Sequence, residues 1–348
     1  MTMNASSIAR AVRRWGAVVA ACATSALFVA SPLTAQGPVV VDKPAPPGWK
    51  VPRTPDGVPD LQGTYGNNSI TPLERPRDFA SKPVLSDAEF REMQQAVKDV
   101  LDGGDAPFGD ELFMAAAARN KGHKSSDRQV GNYSQVWLSE RVLEKRTSQI
   151  IDPPDGRIPA ASPDVAKRNA ARAAARKANP PTQIEALGAG TRCITMGMPN
   201  LFAGYQSYFD ISQGPGYVVV RSEMIHDARV IPTDGRPHLP ASIQQLHGDP
   251  RGHWEGDTLV VETTNFSSQS NFRGASENLR LVERFTRVTP DLIEWRITAE
   301  DPTTWVRPWT LLVNLRRTDE PLVEYACHEG NYGLAGILSA QRAEAGGR

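Results

Sequence analysis

Apolar and polar residues alternate over several short stretches in the second half of the chain. In the stretch 279–286, for example, Leu281 and Phe285 stand in one row and Arg280 and Arg284 in the other. Because successive side chains of a strand point to opposite faces, this period of two predicts β-strands with one solvated face. Turn signals separate such stretches. The predicted strands are 217–220, 228–231, 258–264, 279–286, 292–298, 305–315 and 322–327.

These strands follow one another closely enough to predict a mainly β fold. We expect an antiparallel, lipocalin-like barrel or a strongly curved sheet with a few peripheral helices, because closure removes exposed sheet edges. Short Asp-Gly turns recur after proline, as at 54–57, 153–156 and 232–235. They are read as turns that end strands, since glycine tolerates positive φ, and their spacing is too irregular for a repeat fold.

Two helices are predicted in the first half. Ser86 and Glu89 form a capping box, and Gly103-Gly104 stops the helix that follows. The second helix is predicted over 163–178, with proline at its first position and Asn179-Pro180-Pro181 at its end. Its many basic side chains are interpreted as a solvated face. The apolar face of the first helix comprises Phe90, Met93, Val97 and Val100.

The N-terminus has the pattern of an export signal. Arg10, Arg13 and Arg14 precede the uncharged apolar stretch 16–30, and small residues before Gln36 suit cleavage. The apolar stretch is short for a membrane span, so we expect a periplasmic or secreted protein without a span in the mature chain. A lipoprotein signal ending at Cys22 and a twin-arginine signal remain alternatives.

The chain therefore divides into four predicted parts. They are a signal peptide (1–35), a proline-rich N-terminal arm (36–60), a helix-containing part packed on the barrel (61–200), and a β-meander or barrel core with a C-terminal helix (201–348).

Removing the signal changes the charge and the cysteine count. The whole chain has 39 basic and 39 acidic residues; without three arginines the mature chain has 36 basic residues and a net charge of −3. This balance argues against a nucleic-acid partner. Of the three cysteines, Cys193 and Cys327 remain, and we predict a disulfide between them. Two buried free thiols, or thiolates that bind a metal, are the alternatives.

The sequence lacks the common catalytic fingerprints. It has no Gly-x-Ser-x-Gly elbow, phosphate loop, complete dinucleotide motif or Cys-x-x-Cys. It also lacks the short His-x-His and His-x-x-x-His spacings of metal sites, so we expect no cofactor and no metal. A metal assembled from distant loops is the alternative, with His226, His238 and His328 as ligands.

Three clusters of polar residues near predicted strand ends are candidates for chemistry. Histidine transfers protons near neutral pH, and a neighbouring carboxylate orients it. We predict His226 as general acid or base, Asp227 or Glu283 as its partner, and Arg229 or His328 as the group that stabilises negative charge. The clusters are Glu223 with His226, Asp227 and Arg229; Cys327 to Tyr332; and Arg273, Glu277 and Asn278.

A second set of residues is expected to bind the small-molecule substrate. The tryptophans Trp254 and Trp305 supply apolar surface, and the polar members come from the two loop clusters. Each of these positions also has a structural interpretation, as core aromatics, turn residues or cross-strand ion pairs. The predicted substrate-binding residues are Trp254, Arg273, Asn278, Trp305, Glu329, Asn331 and Tyr332.

Three long motifs resemble a known family. The segments 226–229 (HDAR), 251–266 (RGHWEGDTLVVETTNF) and 325–332 (YACHEGNY) are similar to those of a large uncharacterised family of exported bacterial proteins. The resemblance covers most of the mature chain. It implies export and a shared fold, and it assigns no catalytic residue.

Three functional hypotheses follow. The favoured one is an exported enzyme that acts on a small organic molecule by cofactor-independent acid–base chemistry, as a lyase, hydratase, isomerase or hydrolase. The second is a lipocalin-like protein that binds a small molecule without changing it. The third is a metal-dependent hydrolase.

Overall fold

The computed structural model describes residues 44–102, 109–119, 141–178, 182–201, 205, 207–270 and 272–346. The predicted signal peptide, the first part of the proline-rich arm and the predicted helix stops at 103–104 and 179–181 lie outside the described residues.

The strands form one antiparallel sheet that curves into a nearly closed barrel, which confirms the predicted fold class. The order is β5-β4-β3-β1-β10-β9-β8-β7-β6, and β2 pairs with β10 beside this path. The strands are β1 (Gly63–Gly66), β2 (Ile150–Asp152), β3 (Tyr208–Gly214), β4 (Tyr217–Ser222), β5 (Ala228–Pro232), β6 (Asp249–Glu255), β7 (Thr258–Thr264), β8 (Arg280–Thr289), β9 (Leu292–Glu300) and β10 (Trp309–Arg317).

The two ends of this order, β5 and β6, lie side by side. Gly252 in β6 permits the approach, because a Cβ atom there would lie 2.9 Å from Cγ2 of Ile231 and 3.0 Å from Cγ2 of Thr233. A larger residue at this position would push the two strands apart.

The described part of the chain also contains five α-helices. The capping box is confirmed: the backbone N–H of Ser86 donates to Glu89 at 2.9 Å, and the backbone N–H of Glu89 donates to the Ser86 hydroxyl at 3.3 Å. The second helix has the predicted bounds. None of the helices in the described part of the chain is long and apolar enough to cross a membrane. The helices are α1 (Asp87–Asp102), α2 (Gly109–Ala117), α3 (Pro163–Ala178), α4 (Cys327–Gly330) and α5 (Tyr332–Gly346).

The predicted strand 322–327 is wrong. Residues 321–326 form no strand, and Cys327 begins the short helix α4. The reason lies in the sheet order: β10 already has β9 on one side and β1 on the other, so the chain that leaves β10 finds no free edge beside it. It crosses instead toward the connection between β4 and β5, where the backbone N–H of Val323 donates to Glu223.

The predicted helix-containing part also contributes to the sheet. Strand β1 lies between β3 and β10, and β2 pairs with residues Thr310 and Leu311 near the start of β10. The described portion of the arm, 44–60, makes a tight turn at Gly57 and buries Val51.

Apolar side chains fill the barrel interior. Trp295 stacks on Phe285 with ring centroids 5.2 Å apart, and it meets Phe209 edge-on at 5.8 Å. Trp305 and Trp309 form a second edge-to-face pair at 5.4 Å. Burying each such ring contributes about 1.5–3 kcal/mol. Of the two tryptophans predicted to bind substrate, Trp305 therefore packs against Trp309, and Trp254 is partly buried against the core.

Candidate functional site

The site is built around the connection between β4 and β5, residues 223–227. A short 3-10 turn, Met224–His226, joins the strands, and Met224 and Ile225 anchor it in the core. Ile225 has φ 58° and His226 has φ 45°. Left-handed backbone is unfavourable for residues other than glycine and costs about 1–3 kcal/mol at each such residue. The turn brings His226 to the surface while Asp227 returns to the interior.

One side of this connection opens into a pocket of about 290 Å³, hereafter the junction pocket. Segment 322–324, which crosses from the end of β10, forms the opposite wall. The exposed residue His226 and the buried residue Glu223 both line the pocket. The lining residues are Arg221, Ser222, Glu223, His226, Leu322, Val323 and Glu324.

Glu223 is the buried acid of the junction pocket. The residue is 3% exposed, and its Oε1 accepts the backbone N–H of Val323 at 2.9 Å. Oε2 is buried and accepts no hydrogen bond among the described residues. Burial raises the pKa of Glu223 above its ordinary value. A carboxyl group with a raised pKa stays protonated to higher pH than an exposed one, and it can therefore act as a general acid.

Asp227 lies on the other side of the connection and does not pair with His226. Its Oδ2 accepts a hydrogen bond from the Thr195 hydroxyl at 2.7 Å, and its Oδ1 lies 3.5 Å from Nε2 of His247. The backbone does bend between His226 and Asp227, but it sends the two side chains to opposite sides. The partner expected for His226 is therefore engaged elsewhere.

Arg229 and Glu283 form an ion pair inside the barrel, which we name the interior pair. The Nη1 of Arg229 donates to Oε1 of Glu283 at 2.9 Å, and Nη2 donates to the Thr263 hydroxyl at 3.0 Å. The indole N–H of Trp295 donates to Glu283 at 3.1 Å. Both charged residues are almost completely buried, and neither lines the junction pocket. Arg229 was predicted to stabilise negative charge on a substrate, and Glu283 was predicted to be the partner of His226. Both roles require contact with a substrate or with His226, which these buried positions do not allow.

The predicted disulfide between Cys193 and Cys327 is confirmed, with their Cα atoms 5.7 Å apart. It fastens α4 to the segment that carries Thr195. A side-chain amide strengthens the attachment, because Nδ2 of Asn331 donates to the Thr191 carbonyl at 2.8 Å. His328 and Glu329 stand exposed on α4, and Tyr332 is 85% exposed. The second predicted cluster thus lies on the surface beside the first.

The remaining predicted substrate-binding residues lie outside the junction pocket. Trp305 is buried against Trp309, and Trp254 is half-buried against the core. Arg273 and Asn278 are exposed in the loop before β8. The structure does not bring these residues to the β4–β5 connection.

Among the described residues, no group of three or more His, Cys, Asp or Glu side chains is arranged to hold a metal ion. Of the three histidines considered as ligands, His238 instead makes a hydrogen bond through Nδ1 with Asp249 at 2.9 Å. His226 and His328 are exposed on different elements.

Sequence reasoning missed two members of this region, Thr195 and His247. Thr195 precedes Asp227 by 32 positions, and no local pattern distinguishes it from other threonines. His247 stands at no metal-type spacing from another histidine, so no motif marks it. Their placement depends on tertiary structure that one sequence does not display.

No protein-family model, no curated protein and no solved structure matches the chain.

Proposed function

We propose that the protein is an exported enzyme that acts on a small organic molecule by acid–base chemistry of its own side chains in the junction pocket. The observation that carries the proposal is the pairing, in one pocket, of a buried carboxyl with a raised pKa and an exposed imidazole held on left-handed backbone. Groups in such environments are typical of acid–base sites.

Two roles follow from the environments of the two groups. Glu223, which burial keeps protonated to higher pH, is the general acid. His226 is the general base, since its ring is exposed and makes no hydrogen bond among the described residues. The two proton-transfer roles would serve an elimination, hydration, isomerisation or hydrolysis, so the reaction classes expected from the sequence remain.

Arg221 gives the junction pocket a positive charge. Its guanidinium is half exposed and lies 3.9 Å from Asp210, at the limit of an ion pair. A weak partner leaves the guanidinium able to hold a developing negative charge on a bound molecule. The arginine replaces Arg229 in the stabilising role, because Arg229 is occupied by Glu283.

Export is the second part of the proposal. It is supported by the charged, apolar and small-residue sequence of residues 1–35, by the resemblance to exported proteins, and by the disulfide, a bond that persists in oxidising compartments. N-terminal sequencing of the protein recovered from the periplasm or medium should give Gln36 as the first residue. Recovery of the intact chain from the cytoplasm would contradict this part.

The activity is tested with a mixture of small metabolites that is followed by mass spectrometry. The purified protein should convert at least one component, and Glu223→Gln or His226→Asn should each lower the rate about 10²- to 10⁴-fold. Glu185→Gln is the matched control, because Glu185 is exposed in a separate short turn. Equal rates in all variants would refute the assigned roles. Retention of a compound without conversion would favour the alternative, a small-molecule binding protein.

A further inference from the structure

We propose that a pocket between helices α1 and α2, hereafter the helical pocket, binds a small uncharged molecule built on a single aromatic ring. The helical pocket shares no lining residue with the junction pocket, so its role does not depend on the function proposed for Glu223 and His226. Its size, the side chains that line it and the ion pairs among them define this class of ligand.

The helical pocket lies in a hydrophobic cluster that is distinct from the barrel core. On α1 the buried residues stand three and four positions apart, which is the spacing of one helical face. The buried members of the cluster come from α1, from α2 and from the segment before α1: Leu85, Met93, Ala96, Phe113 and Ala116. All of these except Phe113 line the pocket, so its inner wall is apolar.

Alanines leave space between the two helices. Ala96 on α1 and Ala116 and Ala117 on α2 line the pocket, and each side chain ends at Cβ, where a leucine would fill the gap. The volume left is about 150 Å³. An apolar cavity of about 150 Å³ that was engineered in another protein stays dry and binds benzene. The helical pocket therefore matches the size of a single ring.

Two lining residues favour an aromatic ring over an aliphatic chain of the same size. Phe79 ends the 3-10 turn Arg77–Phe79, and its ring is held by a tilted contact with Phe113 at 5.5 Å between centroids. Aromatic rings attract one another in edge-to-face or offset arrangements. Met93 is unbranched, so its side chain can adjust to a bound molecule, and contacts of its sulfur with aromatic rings are favourable.

The charged residues that line the pocket are already paired, which disfavours a charged ligand. Glu89 forms an ion pair with Lys82, and its Oε2 accepts the backbone N–H and the hydroxyl of Ser86 at 2.9 and 2.8 Å. Glu92 forms an ion pair with Arg119 at 2.6 Å. A cation or an anion in the pocket would lose hydration and would find a partner only by breaking one of these pairs. An uncharged ring leaves both pairs in place.

The test uses the purified protein with ¹³C in its methionine methyl groups. Toluene should shift the Met93 resonance in a saturable manner, with the resonance assigned by its loss in Met93→Leu. Met224, which is buried at the β4–β5 connection, should keep its resonance. Benzyl alcohol should act like toluene, whereas benzoate and benzylammonium should leave Met93 unchanged. No saturable shift with toluene, or an equal response to either ion, would overturn the proposal.

Variants that fill the space assign the response to the helical pocket. Ala96→Leu should abolish the response of Met93 to toluene and the rise in Tm that bound toluene gives the wild type. Ala88→Leu is the matched control, because it adds the same atoms at an exposed position of α1 and should preserve both. If Ala96→Leu does not fold, Ala117→Leu makes the same change at a half-buried lining position. A toluene response that survives in a folded, filled variant, or that is lost in Ala88→Leu, would count against the site.

Discussion

The interior pair and the junction pocket each contain a buried glutamate, yet their surroundings differ. Glu283 is completely buried and accepts hydrogen bonds from Arg229 and from the indole of Trp295. Glu223 is 3% exposed, its Oε1 accepts the backbone N–H of Val323, and no cation among the described residues pairs with its carboxyl. The guanidinium of Arg229 balances the charge of Glu283, whereas burial raises the pKa of Glu223.

The difference shows why residue type alone is a poor guide to chemistry. Glu283 and Arg229 were predicted to act in a site, but inside the barrel they satisfy one another and stabilise a filled core. Glu223, whose Oε2 accepts no hydrogen bond among the described residues, lies at the connection between β4 and β5, beside the junction pocket. We therefore expect substitutions in the interior pair to act on stability, and substitutions in the junction pocket to act on activity.

The largest effect is expected from Glu283→Gln. It leaves the buried guanidinium of Arg229 without its counter-ion, and breaking one half of a buried pair typically lowers the free energy of unfolding by about 3–5 kcal/mol. Denaturant unfolding, with a check that the m-value is unchanged, measures the loss. The matched control is Glu262→Gln, which removes a half-exposed ion pair with Arg280 and should cost about 0–1 kcal/mol.

Replacing both members of the interior pair sharpens the same point. The double variant Arg229→Met/Glu283→Leu should recover most of the lost stability, because apolar residues of similar volume substitute well for a buried pair. Equal losses for Glu283→Gln and Glu262→Gln would show that the interior pair is not the stabilising feature described above.

A smaller effect, about 2–4 kcal/mol, is expected when the disulfide is removed by Cys193→Ala/Cys327→Ala. The bond joins residues separated by 134 positions and fastens α4 to the segment that carries Cys193. Hydrogen exchange should become faster in 188–200 and 320–332 and remain slow in β8 and β9. Uniformly faster exchange would mean that the barrel itself depends on the bond.

The sequence predicted the barrel well where burial alternates along a strand, as it does in β8. In β8 the odd-numbered residues from Leu281 to Thr289 are buried and the even-numbered ones are less so, and β7 has the predicted bounds. Strand β1 escaped prediction because its four residues include two glycines and show no alternation. The strand at 322–327 was predicted from local composition, and the completed sheet order excluded it.

The candidate site was only partly predictable. The sequence indicated the 223–229 segment and the disulfide, since both depend on local residue types or on a count of cysteines. It did not indicate that Asp227 would select His247 over the adjacent His226, because partner choice depends on which way the turn sends each side chain. That direction follows from two left-handed residues that no sequence pattern specifies.

Glu223→Gln should raise stability while it removes activity. Because the pKa of Glu223 is raised on folding, the native state binds the proton more tightly than the unfolded chain, and wild-type stability falls as pH rises from about 4.5 through the folded pKa. Glutamine does not ionise, so the variant lacks this loss. Its advantage should be near zero at low pH and should grow as the pH rises through the folded pKa of Glu223. Parallel pH–stability curves for the two proteins would contradict this account.

The smallest effect on stability is expected from His226→Asn, which nonetheless bears directly on the comparison. Asparagine tolerates the left-handed backbone at φ 45° better than histidine, so the free energy of unfolding should stay within about 0.5 kcal/mol of the wild type or rise slightly. The matched control is Arg119→Asn, at another exposed left-handed position with φ 52°, where an exposed ion pair with Glu92 is also lost. Thermal unfolding measures stability and metabolite turnover measures activity. The exposed imidazole makes no hydrogen bond within the described part of the chain, so the substitution should not disturb the fold. A large loss of stability in His226→Asn would instead assign the residue a structural role. A loss of turnover alone would place His226 in the chemistry of the pocket, unlike the interior pair.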